Sequence, residues 1–414
     1  MRPLDPSLRR AGVAALLAAG VLAAADTLAA QSRPSSSSSS TSSRGGTAAR
    51  AQPARSASAA AANPLARVRS ESLARGGYAV VIDLDENLLH FAKGLQVLWS
   101  APVGTGTGMR LQNGRGEWDF ATPAGTYHAV YKQIEPDWIA PDWYFIENGL
   151  RVPSRDSDAR RFPRGLGSAA VFIGQGLAIH GTDRPELLGQ RVSHGCIRLS
   201  NADALRLYHN LQVGTEIVIV GGRNLRPAPP PPPRTTSRGV GADGRPLPPP
   251  RDPAVVALER LGTERLLDRL DDELVAAAAV RGAETRWPLV ASVLLLRGTQ
   301  GDDDAALAGL LGRITRFGSG TLRDEYATFL ADAFNQRPLR VVTVLSRMER
   351  APREAAARAI VESKLGLYPG EFASVSAPWP TRRVPESAVG RGGQRGWEAL
   401  ASAEEAFRRR VAVR

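Results

Sequence analysis

A single cysteine, Cys196, stands in a chain of 414 residues, and two of the five histidines, His180 and His194, lie within sixteen positions of it. One thiol cannot close an internal disulfide, so beside two histidines it reads as a candidate nucleophile. A free thiol has a pKa of ~8.5, so nucleophilic use requires a histidine within hydrogen-bond reach or an array of backbone N–H groups to favour the thiolate. The surroundings, Ser193-His194-Gly195-Cys196-Ile197-Arg198-Leu199, are polar and contain glycine, unlike the apolar setting of a packed structural cysteine. Zinc fits poorly. His180, His194 and Cys196 would supply three ligands, but no second cysteine completes a CxxC pair and a metal-bound thiolate attacks weakly, so neither metal nor cofactor is expected.

The flanking pattern places this thiol on a loop that feeds a helix. Ser200 is the expected N-cap, Asp203 follows in a loose capping box, and Ala204, Leu207 and Leu211 share one face. Upstream, residues 78–220 alternate short β-branched runs with turns and end in Thr215-Glu216-Ile217-Val218-Ile219-Val220, which predicts a predominantly β domain with its own core. The stretch Pro136–Phe145 holds two prolines and four aromatic residues, too proline-broken for a helix and too aromatic for a free linker. Together with Arg151–Gly167 it is the expected cover of the cleft. His90 and His128 fall on predicted strands and His209 near a helix end, where a cation complements the dipole; all three are read as structural.

Several strings, in order, resemble the catalytic domain of the L,D-transpeptidases, the YkuD-like family of cell-wall enzymes. Tyr78–Leu84 with Leu88–Phe91 resembles the family's opening hairpin, followed by Pro102-Val103-Gly104-Thr105-Gly106, Thr122-Pro123-Ala124-Gly125-Thr126-Tyr127, Gly165-Leu166-Gly167, Ile179-His180-Gly181-Thr182 and Ser193–Leu199. The resemblance implies a β-sandwich with a short helix. It also implies Cys196 as nucleophile, His180 as its base and the Gly181 carbonyl as orienting acceptor, a cysteine–histidine version of triad logic. By the same resemblance the backbone N–H groups of His194 and Gly195, with that of Cys196, surround the developing oxyanion, and Arg198, Ser193 and Thr182 contact the substrate. An oxyanion donor is commonly worth ~3 kcal/mol.

Composition divides the rest of the chain. Arg2, Arg9 and Arg10 precede the apolar run Ala11–Ala25, so residues 1–25 read as a secretory signal, with retention as an anchor the alternative. No other stretch offers ~20 consecutive apolar residues, so no integral span is expected after cleavage. Residues 26–70, rich in serine and alanine, predict a disordered tether, and residues 226–253, with Pro229–Pro233 and Pro248–Pro250, a semi-rigid spacer between two separately folded units. Residues 254–414 predict an all-α domain: Val255, Leu258, Leu261, Leu266, Leu270 and Leu274 recur at helical spacing, and amphipathic blocks follow at 289–296, 305–317, 322–334, 341–348 and 355–361. Its role is docking or stabilisation.

The formal charge of +12 comes almost wholly from arginine, with lysine only at 93, 132 and 364. The arginines are scattered and are not gathered in a stripe interleaved with aromatics, which argues against a nucleic-acid partner. The expectation is therefore an exported, periplasmic or envelope acyltransferase that acts on peptidoglycan stem peptides and serves cell-wall organisation and cell shape. By resemblance, Cys196 attacks the bond between an L-centre diamino acid and a terminal D-alanine. The acyl group then passes to a second stem's amine, to a lysine of an envelope protein, or to water. The alternatives are a catalytically idle wall-binding module and a cysteine peptidase or L,D-carboxypeptidase that trims stems.

Overall fold

The strand Tyr78–Asp83 is apolar on both faces, and both faces are buried. Val80 and Ile82 join the main core, while Ala79 and Val81 pack with Leu65, Leu73 and Ala92 on the other side. This computed structural model describes residues 63–66, 68–223, 225–232, 247–279, 286–366 and 384–412. The expected signal at 1–25, most of the tether and the middle of the spacer lie outside the described residues. All the described residues fall within one unit, Ala59–Arg414. Packing begins before the tether boundary expected at 70: Leu65 is 1% exposed beneath the sheet, and Asn63 Nδ2 donates to the Leu95 carbonyl at 2.7 Å.

Tyr78–Asp83 sits at the centre of a five-stranded sheet. It is flanked by Leu88–Lys93 and Gln96–Pro102 on one side and by Glu216–Val220 and Gly125–His128 on the other. The pairing with Glu216–Val220 is parallel and the others are antiparallel. A second sheet of four strands runs in the order Ile197–Leu199, Leu177–Gly181, Ala169–Gly174, Tyr131–Ile134. Val171, Ile179, Ile197 and Leu199 belong to the same core cluster as the first sheet's Val80 and Ile82. By the two-residue alternation of strands, their neighbours therefore point to the opposite face. The helix Asn201–Asn210 follows directly, with Ser200 Oγ accepting the Asp203 N–H at 3.0 Å as its cap.

Two expectations are corrected here. Pro141 does not break the aromatic segment but starts the helix Asp142–Glu147, because proline is tolerated at a helix N-terminus, where its missing N–H would have no partner anyway. Nor does the proline-rich spacer hold the helices away from the β domain. The helices Trp287–Thr299 and Thr321–Gln336 pack against Asn201–Asn210, and one hydrophobic cluster runs from Tyr78 through Leu207 to Phe329 and Leu400. The contact is also polar. Arg206 makes a two-pronged pair with Glu325 at 2.5 and 2.8 Å, Asn210 joins Trp99 to Thr328, and Asp332 accepts from Lys132 at 2.6 Å and His209 at 2.7 Å. His209 is thus buried against a carboxylate. Desolvation holds its pKa below the ordinary value despite Asp332.

The blocks at 289–296, 322–334 and 355–361 fall within the helices Trp287–Thr299, Thr321–Gln336 and Arg350–Gly366, whereas 305–317 runs from Asp304–Gly312 into the short turn Arg313–Arg316 and 341–348 ends one residue past Pro338–Arg347. Gln394–Ala412 adds a further helix that the pattern did not single out.

Candidate active site

Register brings the chemistry together. His180 pairs with Arg198 across the parallel strands, and Ala170 pairs with His180 on the other side. Paired residues share a face, so His180 and Arg198 stand on the face opposite the core. Cys196 lies two residues before Arg198, at the mouth of that strand. Its thiol donates to the Gly176 carbonyl at 3.9 Å and receives the Ala178 N–H.

His180 is 8% exposed. Its Nδ1 lies 2.8 Å from the Gly181 carbonyl, which can only accept, so Nδ1 carries the proton and Nε2 is left as the basic nitrogen. Burial and the nearby Arg198 guanidinium lower its pKa to about 4, against the pull of the Gly181 and Leu166 carbonyls. The Cys196 thiol moves the other way: burial pushes its pKa up, opposed by the Ala178 N–H and Arg198. The resting pair is therefore neutral thiol and neutral imidazole, not the preformed thiolate that the sequence pattern suggests.

The turn before the cysteine is braced from below. Gly195 has φ +119, a left-handed conformation that favours glycine. Its carbonyl accepts from Thr122 Oγ1 at 2.7 Å, and Thr122 Oγ1 in turn accepts the Gly106 N–H at 2.8 Å. Ser193 is 1% exposed; its hydroxyl accepts the Gly195 N–H at 3.1 Å and donates to the Cys196 carbonyl at 2.5 Å. Ser193 thus sits inside the turn, and the Gly195 N–H is engaged there. Thr182 is buried, with its N–H on the Leu199 carbonyl and its hydroxyl accepting the Arg184 N–H at 3.1 Å. Arg198 is half-buried, and its backbone exchanges hydrogen bonds of 2.8 and 2.9 Å with Gly104.

The His194 ring points into the aromatic segment. It stacks on Trp143 at 4.1 Å, meets the edge of Phe120 at 4.4 Å, and its Nε2 lies 2.8 Å from Glu147 Oε2. Trp143 and Glu147, four apart on one helix, present one face to it. Thr122 was noted from the sequence only within a motif string and Trp143 only as one of four aromatics of the cleft cover, while Glu147 was not noted; an i,i+4 aromatic–acid pair was the available signal. Among the described residues no group of three histidine, cysteine or acidic side chains is arranged to hold a metal ion, and no helix is long and apolar enough to cross a membrane. A cavity of about 760 Å³ is lined by Gly106, Thr122, Arg191 and Leu225, but by neither His180 nor Cys196.

Residues 77–219 match the family model of the YkuD L,D-transpeptidase catalytic domain. The probable L,D-transpeptidase ErfK/SrfK of Salmonella typhimurium is 35% identical over 127 residues, which is 30% of this chain and 40% of that protein. Its namesake in Escherichia coli K12 is 47% identical over 93 residues, 21% of this chain and 30% of that one. The putative L,D-transpeptidase YqjB of Bacillus subtilis is 31% identical over 105 residues, 25% of this chain and 54% of that one. The chain thus spans about two fifths of the length of the first of these relatives and about half of the last. Among solved structures, the catalytic domain of the E. faecium L,D-transpeptidase is 19% identical and aligns with 35% of this chain and 98% of that one, at a TM-score of 0.26.

Proposed function

We propose that the chain is an exported L,D-transpeptidase that acts on peptidoglycan stem peptides through an acyl-enzyme on Cys196. What supports this reading is that Cys196 directly precedes the strand paired with that of His180, its thiol against the Gly176 carbonyl and the Ala178 N–H, and that Nδ1 of the histidine is tied to the Gly181 carbonyl, which leaves Nε2 as the base. Because the resting pair is neutral, Nε2 takes the thiol proton as sulfur attacks the carbonyl carbon between the L-centre diamino acid and the terminal D-alanine. Sulfur–carbon bond formation gives a tetrahedral oxyanion. With the Gly195 N–H held by Ser193, the N–H groups of His194 and Cys196 remain to receive it. Collapse expels D-alanine, which takes the proton from His180 as it leaves, and an acceptor amine then displaces the thiolate.

Arg198, within electrostatic reach of His180, His194 and Cys196, is placed to pair with a donor carboxylate. The arginine-led, alanine-rich stretch of residues 1–25 supports export.

The test is digestion of tetrapeptide-stem muropeptides by the purified protein, with products identified by mass. The parent should release D-alanine and give a joined or trimmed product, while Cys196→Ala should give neither. Turnover by that variant within a few-fold of the parent would rule out covalent catalysis. Cleavage of unrelated proteins, with stems left intact, would instead indicate a peptidase.

A further inference from the structure

The Gly181 carbonyl holds the His180 ring and the Leu166 carbonyl acts on it electrostatically, and one side chain outside the cysteine motif touches both of the segments that carry them. Asn201 is the first residue of the helix Asn201–Asn210, but it does not cap that helix, because Ser200 does. Its amide is free for other work. Asn201 Oδ1 accepts the Ser168 N–H at 3.0 Å. A Cβ placed on Gly167 would lie 2.4 Å from this oxygen and one on Gly181 2.3 Å, so the oxygen rests directly on both glycine backbones. The glycines also touch each other, since a Cβ on Gly167 would come within 2.6 Å of the Gly181 carbonyl carbon. Leu166, immediately before Gly167, supplies one carbonyl facing the imidazole, and Gly181 supplies the other.

We propose that Asn201 is a positioning residue for His180: its amide oxygen, lodged between Gly167 and Gly181 and bonded to the Ser168 N–H, fixes the Gly181 carbonyl that aims the imidazole. The inference rests on the proposed role of His180 as base. It also gives the helical region a route to the site. Arg206, His209 and Asn210, further along the same helix, are bound to Glu325, Asp332 and Thr328. The helix that presents Asn201 is thus anchored by residues outside the catalytic domain.

The experiment compares Asn201→Ala and Asn201→Asp in the full chain. It follows acylation of Cys196 by a tetrapeptide donor across pH by intact-protein mass, donor KM, and the His180 ring resonances by NMR. Asn201→Ala should lower the plateau acylation rate roughly 10- to 100-fold, the scale on which small misplacements act, with donor KM within about two-fold of the parent. Asn201→Asp keeps an oxygen acceptor for Ser168 and should restore the plateau to within a few-fold. Its negative charge favours the imidazolium, so its acid limb should move to higher pH.

Asn201→Ala at the parent plateau with an unmoved acid limb would overturn the proposal, and so would an Asp variant as slow as the Ala variant. If Asn201→Ala does not fold, the Asp variant decides: unmoved His180 resonances and an unmoved acid limb would count as refutation. His180→Ala run alongside separates the two claims. Parent-like rates in it would sink the base itself, whereas loss there with an unaffected Asn201→Ala would sink only the positioning role.

Discussion

Replacing Asp332 by alanine tests whether the helical region and the β domain share a dry interface. The carboxylate is 1% exposed and accepts from Lys132 Nζ at 2.6 Å, His209 Nδ1 at 2.7 Å and Gln336 Nε2 at 2.8 Å. Burial pushes its pKa up, but Lys132 and His209 outweigh that and hold the carboxyl below its ordinary value. In Asp332→Ala the Lys132 ammonium keeps only the Tyr208 and Leu211 carbonyls and the Tyr208 ring. His209, whose Nε2 already lies buried without a partner, loses its bond at Nδ1 as well. Removing one partner of a buried pair costs about 3–5 kcal/mol. At about 2 °C per kcal/mol for a unit of this size, the melting temperature should fall by roughly 6–10 °C in calorimetry. Lys132→Met with Asp332→Leu should recover most of the loss, because an apolar pair leaves no stranded charge. A cost under about 1 kcal/mol, the value of a solvated surface pair, would show that water reaches the network and refute the reasoning.

Two further outcomes are expected. With the His180 pKa at about 4, the acid limb of the acylation rate should lie near pH 4, not 6.5. Because the folded pKa is depressed, the stability it contributes is present above the unfolded value near 6.5 and is lost as pH falls towards 4. That amounts to roughly 3 kcal/mol, readable in urea melts as the slope that His180→Ala removes. Residues 64–222 expressed alone should be less stable than the full chain in thermal melts, because Trp99, Asn210 and the charges of Arg206 and Lys132 lose partners in the helical region; equal stability would show that the contact adds nothing.

Much of the site was legible because strand alternation and helix capping are local. The Ser200 cap, the opening hairpin and the polar turn around Cys196 are written in neighbouring residues. What escaped depends on contacts distant in sequence. Thr122 supports Gly195 across 73 positions, and Asn201 reaches Ser168 across 33. Neither residue type is unusual in a loop or at a helix start, so nothing local distinguishes them. The contact between Asp332 and Lys132 spans 200 positions and joins charges that composition alone reads as scattered surface. The thiol's protonation state escaped for a different reason. A lone cysteine beside histidines suggests an ion pair, and only the burial of both groups decides for the neutral forms.

That neutrality fits the compartment the proposed function requires. Thiolates are the species that oxidants capture, and an exported protein works where oxidation is favoured. Burial raises the pKa of this half-buried thiol, which favours its protonated, less reactive form. On the proposed mechanism its reactivity depends on His180 being aimed to accept the proton at the moment a carbonyl is presented, and hence on the Gly181 carbonyl that holds the ring. A preformed ion pair would tolerate a loosely held histidine, because the charge is already separated. A neutral pair does not, because the proton must move within a hydrogen bond as the carbon–sulfur bond forms. On the proposed mechanism, the close Gly167–Gly181–Asn201 packing meets that demand. So does the burial of the helix behind it against Glu325, Thr328 and Asp332, since a base that acts only in the transition state has to be held in place before the substrate arrives.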